Sequence, residues 1–309
     1  MTLWTLLDRS LLILGPKLEL PKPGDIDDTV LIYNRVPKTG STSFAGVAYD
    51  LCVQNKFNVL HLNVSKNNHV LGLSDQRRFV LNITHWESKK PALYHGHLAY
   101  LPFSRFGISR QPLYINIIRD PLDRLVSYYY FLRHGDDFRP YLKRSRSGNK
   151  ETFDECVASD GEDCDPMNLW MQIPFFCGHA AECWIPGNPW ALETAKYNLV
   201  HNYLVVGLTE ELGDFVAILE ATLPRFFSGA TELFNSGHKS HLRKTSSKVP
   251  PSQETLDKIQ QTVYWKMEHE FYEFAKEQFH FIKKRTLQSV DGVLSERKPQ
   301  FMYEKIRPR

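Results

Sequence analysis

Five short runs of β-branched and aromatic residues punctuate the chain: TVLIY at 29–33, NVLHLN at 58–63, ALYHGHL at 92–98, LYINII at 113–118 and YLVVG at 203–207. Runs of this length bounded by turn residues predict strands. The fourth is almost continuously apolar, which suits a parallel strand buried on both faces. Between the runs, apolar residues fall at helical spacing. Ser41 or Thr42 opens one helix, and residues 74–80 begin a second. Pro121 fits the first turn of a third, with Asp120 as its cap and Leu122, Leu125, Val126 and Tyr129 at helical spacing. Helices are also expected around 167–173, 189–197 and 210–223, and residues 253–278 have long helical character, rich in aromatics. Alternating strands and helices predict an α/β fold, a central parallel sheet flanked by helices. In such folds the site lies at the carboxyl ends of the strands.

The first strand runs into the loop RVPKTGSTS at 35–43 and then into a helix. A helix start has N–H groups without intrahelical partners and a dipole that favours negative charge. Gly40 lets backbone approach a phosphate, Lys38 brings a mobile positive charge, and Thr39, Ser41, Thr42 and Ser43 bring hydroxyl donors. The loop departs from the triphosphatase pattern G-x-x-x-x-G-K-[ST], because Lys38 precedes the glycine. It suits a nucleotide end whose phosphate carries another group. The plain alternative is an ordinary strand-to-helix turn with a surface lysine.

Further candidates sit at strand ends. In an extended strand His95 and His97 share a face, with Gly96 between them, and two imidazoles beside an anion site suit acid/base chemistry. A structural histidine or half of a metal site would also explain them. Arg119 ends the fourth run and Ser127 follows two helical turns on; a guanidinium grips phosphate bidentately, whereas a strand-end salt bridge with Asp120 is the ordinary reading. Residues 139–150 gather Arg139, Lys143, Arg144, Arg146 and Lys150, a solvated surface or a clamp for a polyanion. No recognised nucleic-acid motif accompanies them, so no nucleic-acid partner is expected.

Composition narrows the setting. With 309 residues, 42% hydrophobic and 24% charged, the chain is ordinary globular protein, and one catalytic domain is expected over 28–309. A net charge of +3 leaves any polyanion site to local clustering. Residues 1–27 form an atypical segment: its apolar stretch, broken by Asp8 and Arg9, is too short and charged to span a bilayer and makes a poor signal peptide. Acceptor sequons begin at Asn63 and Asn82. Of five cysteines, Cys156 and Cys164 flank one loop, Cys177 and Cys183 a smaller one, and Cys52 lies in the first helix. Two local disulfides and one buried thiol are the simplest assignment; zinc is the competing one, but C-x-x-C spacing is missing. Together these features suggest a lumenal protein.

RVPKTGSTS resembles the 5′-phosphosulfate loop of sulfotransferases that use 3′-phosphoadenosine 5′-phosphosulfate (PAPS). YHGH at 94–97, INIIRDPLDRLVSYYYFLR at 115–133, QIPFFCGH at 172–179 and GHKSHLRKT at 237–245 narrow the resemblance to the uronyl 2-O-sulfotransferases, heparan sulfate enzymes among them, over about 28–306. The resemblance implies a P-loop-like PAPS sulfotransferase fold and transfer of sulfate to the 2-hydroxyl of iduronic, less often glucuronic, acid without a metal. It implies His97 as base, assisted by His95, and Lys38 acting on the departing nucleotide. Arg35, Lys38, Thr39, Gly40, Ser41 and Thr42 would hold the phosphosulfate, Arg119 and Ser127 the 3′-phosphate, with Thr245 near the cofactor. Tyr49, Lys66, Arg144 and Arg243 would touch the acceptor. The family also implies a homotrimer and a type II anchor in the Golgi, although no anchor is evident in residues 1–27. A dermatan or chondroitin uronyl 2-O-sulfotransferase, an inactive heparan-binding homologue and, more weakly, a kinase are the rival readings.

Overall fold

In a computed structural model of the chain, residues 27–64, 68–137, 139–237, 248–290, 293–301 and 304 are described. Lys66, Arg243, Thr245, residues 1–26 and most of the final FMYEKIRPR lie outside them. Five strands, β1 (Val30–Asn34), β2 (Asn58–Leu62), β3 (Ala92–Gly96), β4 (Leu113–Ile118) and β5 (Tyr203–Leu208), pair in parallel in the order β2-β3-β1-β4-β5. The helices are α1 (Ser41–Gln54), α2 (Leu73–His85), α3 (Pro121–His134), α4 (Phe153–Ala158), α5 (Gln172–Cys177) and α6 (Pro189–Asn202). They continue with α7 (Leu212–Thr222), α8 (Pro224–Phe227), α9 (Ala230–Asn235), α10 (Gln253–Gln260) and α11 (Val263–Thr286). An antiparallel hairpin, β6 (Leu287–Val290) and β7 (Val293–Glu296), follows.

β1 is central, and alternation along it addresses both helical layers. Tyr33 meets Phe44 of α1 edge-on, and Phe44 packs on Phe215 of α7 and Phe227 of α8. On the other face Asn34 donates to the Phe175 carbonyl and accepts from the Tyr203 hydroxyl, beside the Phe176–Phe271 contact. A smaller core joins α3, α4 and α10 around Leu125, Tyr129, Phe153 and Ile259, and it holds the Cys156–Cys164 disulfide. Each large side chain buried in this way contributes about 1.5–3 kcal/mol.

Local chemistry sets the element ends. Asp120 caps α3 by accepting from the Asp123 N–H, and Pro121 occupies the first turn, as predicted. Residues 253–278 do not form one helix. Thr262 accepts from the Trp265 N–H and starts α11 afresh, so the stretch divides at Gln261 and Thr262. Residues 167–173 do not form a helix of their own: a 3₁₀ turn at Pro166–Leu169, begun by the Asp165 carboxylate, is followed by α5. β3 stops at Gly96, where β2 comes so close that a Cβ would lie 2.7 Å from the Leu62 carbonyl oxygen. His97 therefore lies just past the strand rather than in it.

Candidate active site

The carboxyl ends of β1, β3, β4 and β5 surround a cavity of about 470 Å³. Its floor is the loop after β1. Lys38 (φ +69°) and Gly40 (φ +71°) both adopt left-handed backbone, which turns the chain into α1 within a few residues. No side chain caps α1 and no acid sits in its first turn, so no side chain competes with an anion for its dipole and its first N–H groups. Lys38, Gly40, Ser41 and Thr42 line the cavity together with Arg35. Thr39 does not line it. Its fully buried hydroxyl donates to the Val36 carbonyl at 3.0 Å and braces the loop from inside.

Arg35 organises the second wall. Its amide donates to the Gly96 carbonyl at 2.8 Å, which ties the end of β1 to the end of β3. Its guanidinium Nη1 donates to His95 Nδ1 and its Nη2 to His97 Nε2, each at 3.1 Å. A guanidinium only donates, so the tautomers follow. His95 carries its proton on Nε2 and presents it to the Tyr49 hydroxyl at 2.9 Å. His97 carries its proton on Nδ1, donates it to the Arg35 carbonyl at 2.8 Å, and directs its Nε2 lone pair toward the guanidinium. Burial first, then the Arg35 charge, pushes each imidazole down to about 3, so both are neutral at pH 7. The two histidines thus share a face as predicted. His69, which the sequence did not single out, donates to the His97 carbonyl at 3.2 Å.

Arg119 and Ser127 form the third wall, at the end of β4 and on α3. The Arg119 Nη2 reaches Asp123 at 3.2 Å rather than Asp120, while its buried Nε has no hydrogen-bond partner. Its backbone is gripped on both sides by Gln172: the amide accepts from the Arg119 N–H and donates to the Arg119 carbonyl, both at 2.9 Å. Gln172 is set by the fully buried Glu268, whose carboxylate accepts from the Met171 and Ile173 N–H groups at 2.8 and 3.0 Å. Burial raises Glu268 to about 7 although Arg124 opposes the shift. No periodicity or motif spacing marks Glu268, because its role depends on the packing of α11 against α5.

Arg144 does not itself line the cavity, but it packs on Phe131, which does. It pairs with the buried Asp136 at 3.3 Å, and its guanidinium lies 4.3 Å from the centre of the Phe131 ring. Among the other basic residues of that stretch, Arg146 is tied to Asp163 in the Cys156–Cys164 loop at 2.9 Å, so it braces the segment. Thr209, Glu210, Leu212 and Phe234 close the far wall. They carry no charge cluster or motif, and only the return of β5 beside β4 brings them here.

Residues 26–275 match the family model described as "Sulfotransferase family". The chain belongs to the sulfotransferase family. Among relatives of this sulfotransferase-family chain, heparan sulfate 2-O-sulfotransferase 1 of Gallus gallus is 59% identical over 295 residues, 96% of this chain and 83% of the relative. The Homo sapiens protein of the same name is 60% identical over 283 residues, 92% of this chain and 80% of the relative. A heparin sulfate O-sulfotransferase of Drosophila melanogaster is 58% identical over 280 residues, 91% and 79% of the two chains.

The family implies a sulfate donor, and the cavity fits a phosphorylated one. It offers an uncapped helix start, two arginines, a lysine and a partnerless buried guanidinium N–H. The structure joins Cys156 to Cys164 and Cys177 to Cys183, which leaves no pair for zinc. Cys52 is half-buried rather than buried, with its thiol on the Tyr49 carbonyl at 3.1 Å, because it lies at the outer edge of α1. Asn63 and Asn82 are both exposed, Asn82 on α2. Among the described residues no helix is long and apolar enough to cross a membrane, and no group of three or more His, Cys, Asp or Glu is arranged to hold a metal.

Proposed function

We propose that the chain transfers sulfate from PAPS to the 2-hydroxyl of iduronic acid, less often glucuronic acid, in heparan sulfate. The observation that carries this reading is a neutral His97 that lines the same cavity as the loop after β1 and whose unprotonated Nε2 accepts from Arg35. Identity near 60% to relatives named for heparan sulfate 2-O-sulfation supplies the substrate class. Bound PAPS supplies the sulfuryl group on a phosphate leaving group. Arg35, Lys38, Gly40, Ser41 and Thr42 hold the phosphosulfate end, with Thr39 bracing the loop, and Arg119 and Ser127 hold the 3′-phosphate; the resemblance adds Thr245 to the cofactor-binding residues. Arg144, Arg243, Lys66 and Tyr49 receive the acceptor, and His95 orients Tyr49 and Arg35.

His97 then takes the 2-hydroxyl proton at Nε2 as that oxygen attacks sulfur in line. A base near 3 is weak, but negative charge arriving beside Arg35 draws the guanidinium off Nε2 and raises the basicity of the imidazole. Lys38 stabilises the charge that develops as the nucleotide phosphate departs. The resemblance further supports a homotrimer, checked by light scattering. Paired cysteines and exposed sequons support the Golgi lumen, checked by glycosidase sensitivity.

The test is transfer of labelled sulfate from PAPS to N-sulfated heparan, with dermatan and chondroitin alongside, followed by disaccharide analysis. Label on the iduronate 2-position in the heparan lane alone is expected. Label in dermatan or chondroitin would make the chain the sister uronyl enzyme. Absence of transfer by protein that still binds 3′-phosphoadenosine 5′-phosphate (PAP) would leave a heparan-binding homologue. His97→Ala is expected to abolish turnover with PAP binding unchanged, and retained turnover would remove His97 from the base role.

A further inference from the structure

We propose that Phe131 is a positioning residue that holds the donor-loop lysine and the acceptor-side arginine on one aromatic ring. The proposal rests on the roles given above to Lys38 and Arg144. Phe131 follows Ser127 by four residues on α3, so the two share a helix face, and both line the cavity. The Lys38 ammonium lies 4.2 Å from the Phe131 ring centre and the Arg144 guanidinium 4.3 Å from it. Both distances fall well inside the roughly 6 Å reach over which a ring quadrupole attracts a cation.

The two cations reach the ring from unrelated segments. Lys38 arrives from the loop after β1 on left-handed backbone, and Arg144 arrives from the segment beyond α3, steadied by the buried Asp136. Two positive side chains held on one ring repel, and the ring offsets that repulsion while fixing both heads against a residue that lines the cavity. The ring thereby sets where a phosphate held by Lys38 lies relative to a carboxylate or sulfate held by Arg144. Position matters strongly in a displacement between two bound molecules, because productive geometry tolerates little misplacement.

An apolar spacer of similar bulk would satisfy a purely structural role, so leucine and tyrosine separate the two explanations. For Phe131→Leu, loss of the π face is expected to weaken PAP binding and binding of an N-sulfated heparan oligosaccharide, each by about 3- to 30-fold. The melting temperature should stay near that of the wild type. Phe131→Tyr keeps the π face and is expected to bind both within about twofold of wild type. In the transfer assay, KM for each substrate should rise in the leucine variant and recover in the tyrosine variant.

Wild-type affinity of Phe131→Leu for both ligands would overturn the proposal, as would weakening of only one. A folded tyrosine variant as impaired as the leucine one would also overturn it. Because the binding measurements need no turnover, they decide the role of Phe131 even if the wild-type protein transfers no sulfate. That second outcome would refute the functional reading alone.

Discussion

Acidification should destabilise the free protein through His95 and His97. Both are held near 3 in the fold, against 6.5 in an unfolded chain, by burial and by the Arg35 charge. Above pH 6.5 neither state binds these protons and the histidines do not affect stability. As pH falls below 6.5 the unfolded chain takes up protons that the folded state refuses, so stability is lost progressively toward about pH 3. At pH 5 each histidine accounts for about 2 kcal/mol and the pair for about 4. The figure depends little on how far the folded value lies below 5, since the unfolded chain alone sets it there. Glu268, raised to about 7, acts in the opposite sense over the same interval because protonation relieves a buried charge. The histidine contribution is therefore the difference between two proteins. Reversible urea unfolding at pH 7.5 and 5.0, without ligand, is compared for wild type and the His95→Gln/His97→Gln double variant. The wild type should lose about 4 kcal/mol more than the variant on acidification. Equal losses would refute the account of Arg35 and burial holding both rings neutral.

Other expectations follow from single contacts. Gln172→Ala removes both hydrogen bonds on the Arg119 backbone and should cost about 1–3 kcal/mol of stability and about tenfold in PAP affinity by calorimetry; affinity within twofold of wild type would show that other contacts hold Arg119. Lys38→Ala should reduce turnover by ~10²–10³-fold while the acceptor KM changes little, and an equal loss in both would make Lys38 a binding residue only. Gly96→Ala drives a Cβ into the Leu62 backbone and should lower the unfolding free energy by about 1–3 kcal/mol, with faster amide exchange in β2; an unchanged urea midpoint would contradict the close approach.

Much of the sheet was legible because its signals are local. The β-branched runs, Pro121 after Asp120 and the glycine-bearing loop before Ser41 mark strands and two helix starts within a few residues. The shared face of His95 and His97 followed from strand alternation, even though β3 ends at Gly96. Local chemistry misled where a cap competed with periodicity. Thr262 could read as one more helical residue, but its hydroxyl satisfies the Trp265 N–H and restarts the helix. Thr39 looked like a free donor in the loop, yet the Val36 carbonyl claims its hydroxyl.

What the sequence determined by itself was therefore the α/β pattern, the glycine-bearing loop between β1 and α1 and the types of residue it carries, since each depends on spacing along a few turns or strand residues. Only the tertiary structure decided the strand order β2-β3-β1-β4-β5 and the meetings it creates: Arg35 between two histidines, Gln172 on Arg119, Lys38 and Arg144 on Phe131. Most of those meetings join residues more than fifty positions apart. Their geometry is set by crossovers and by which helices bury against which face of the sheet, and periodicity within a segment carries no record of that choice.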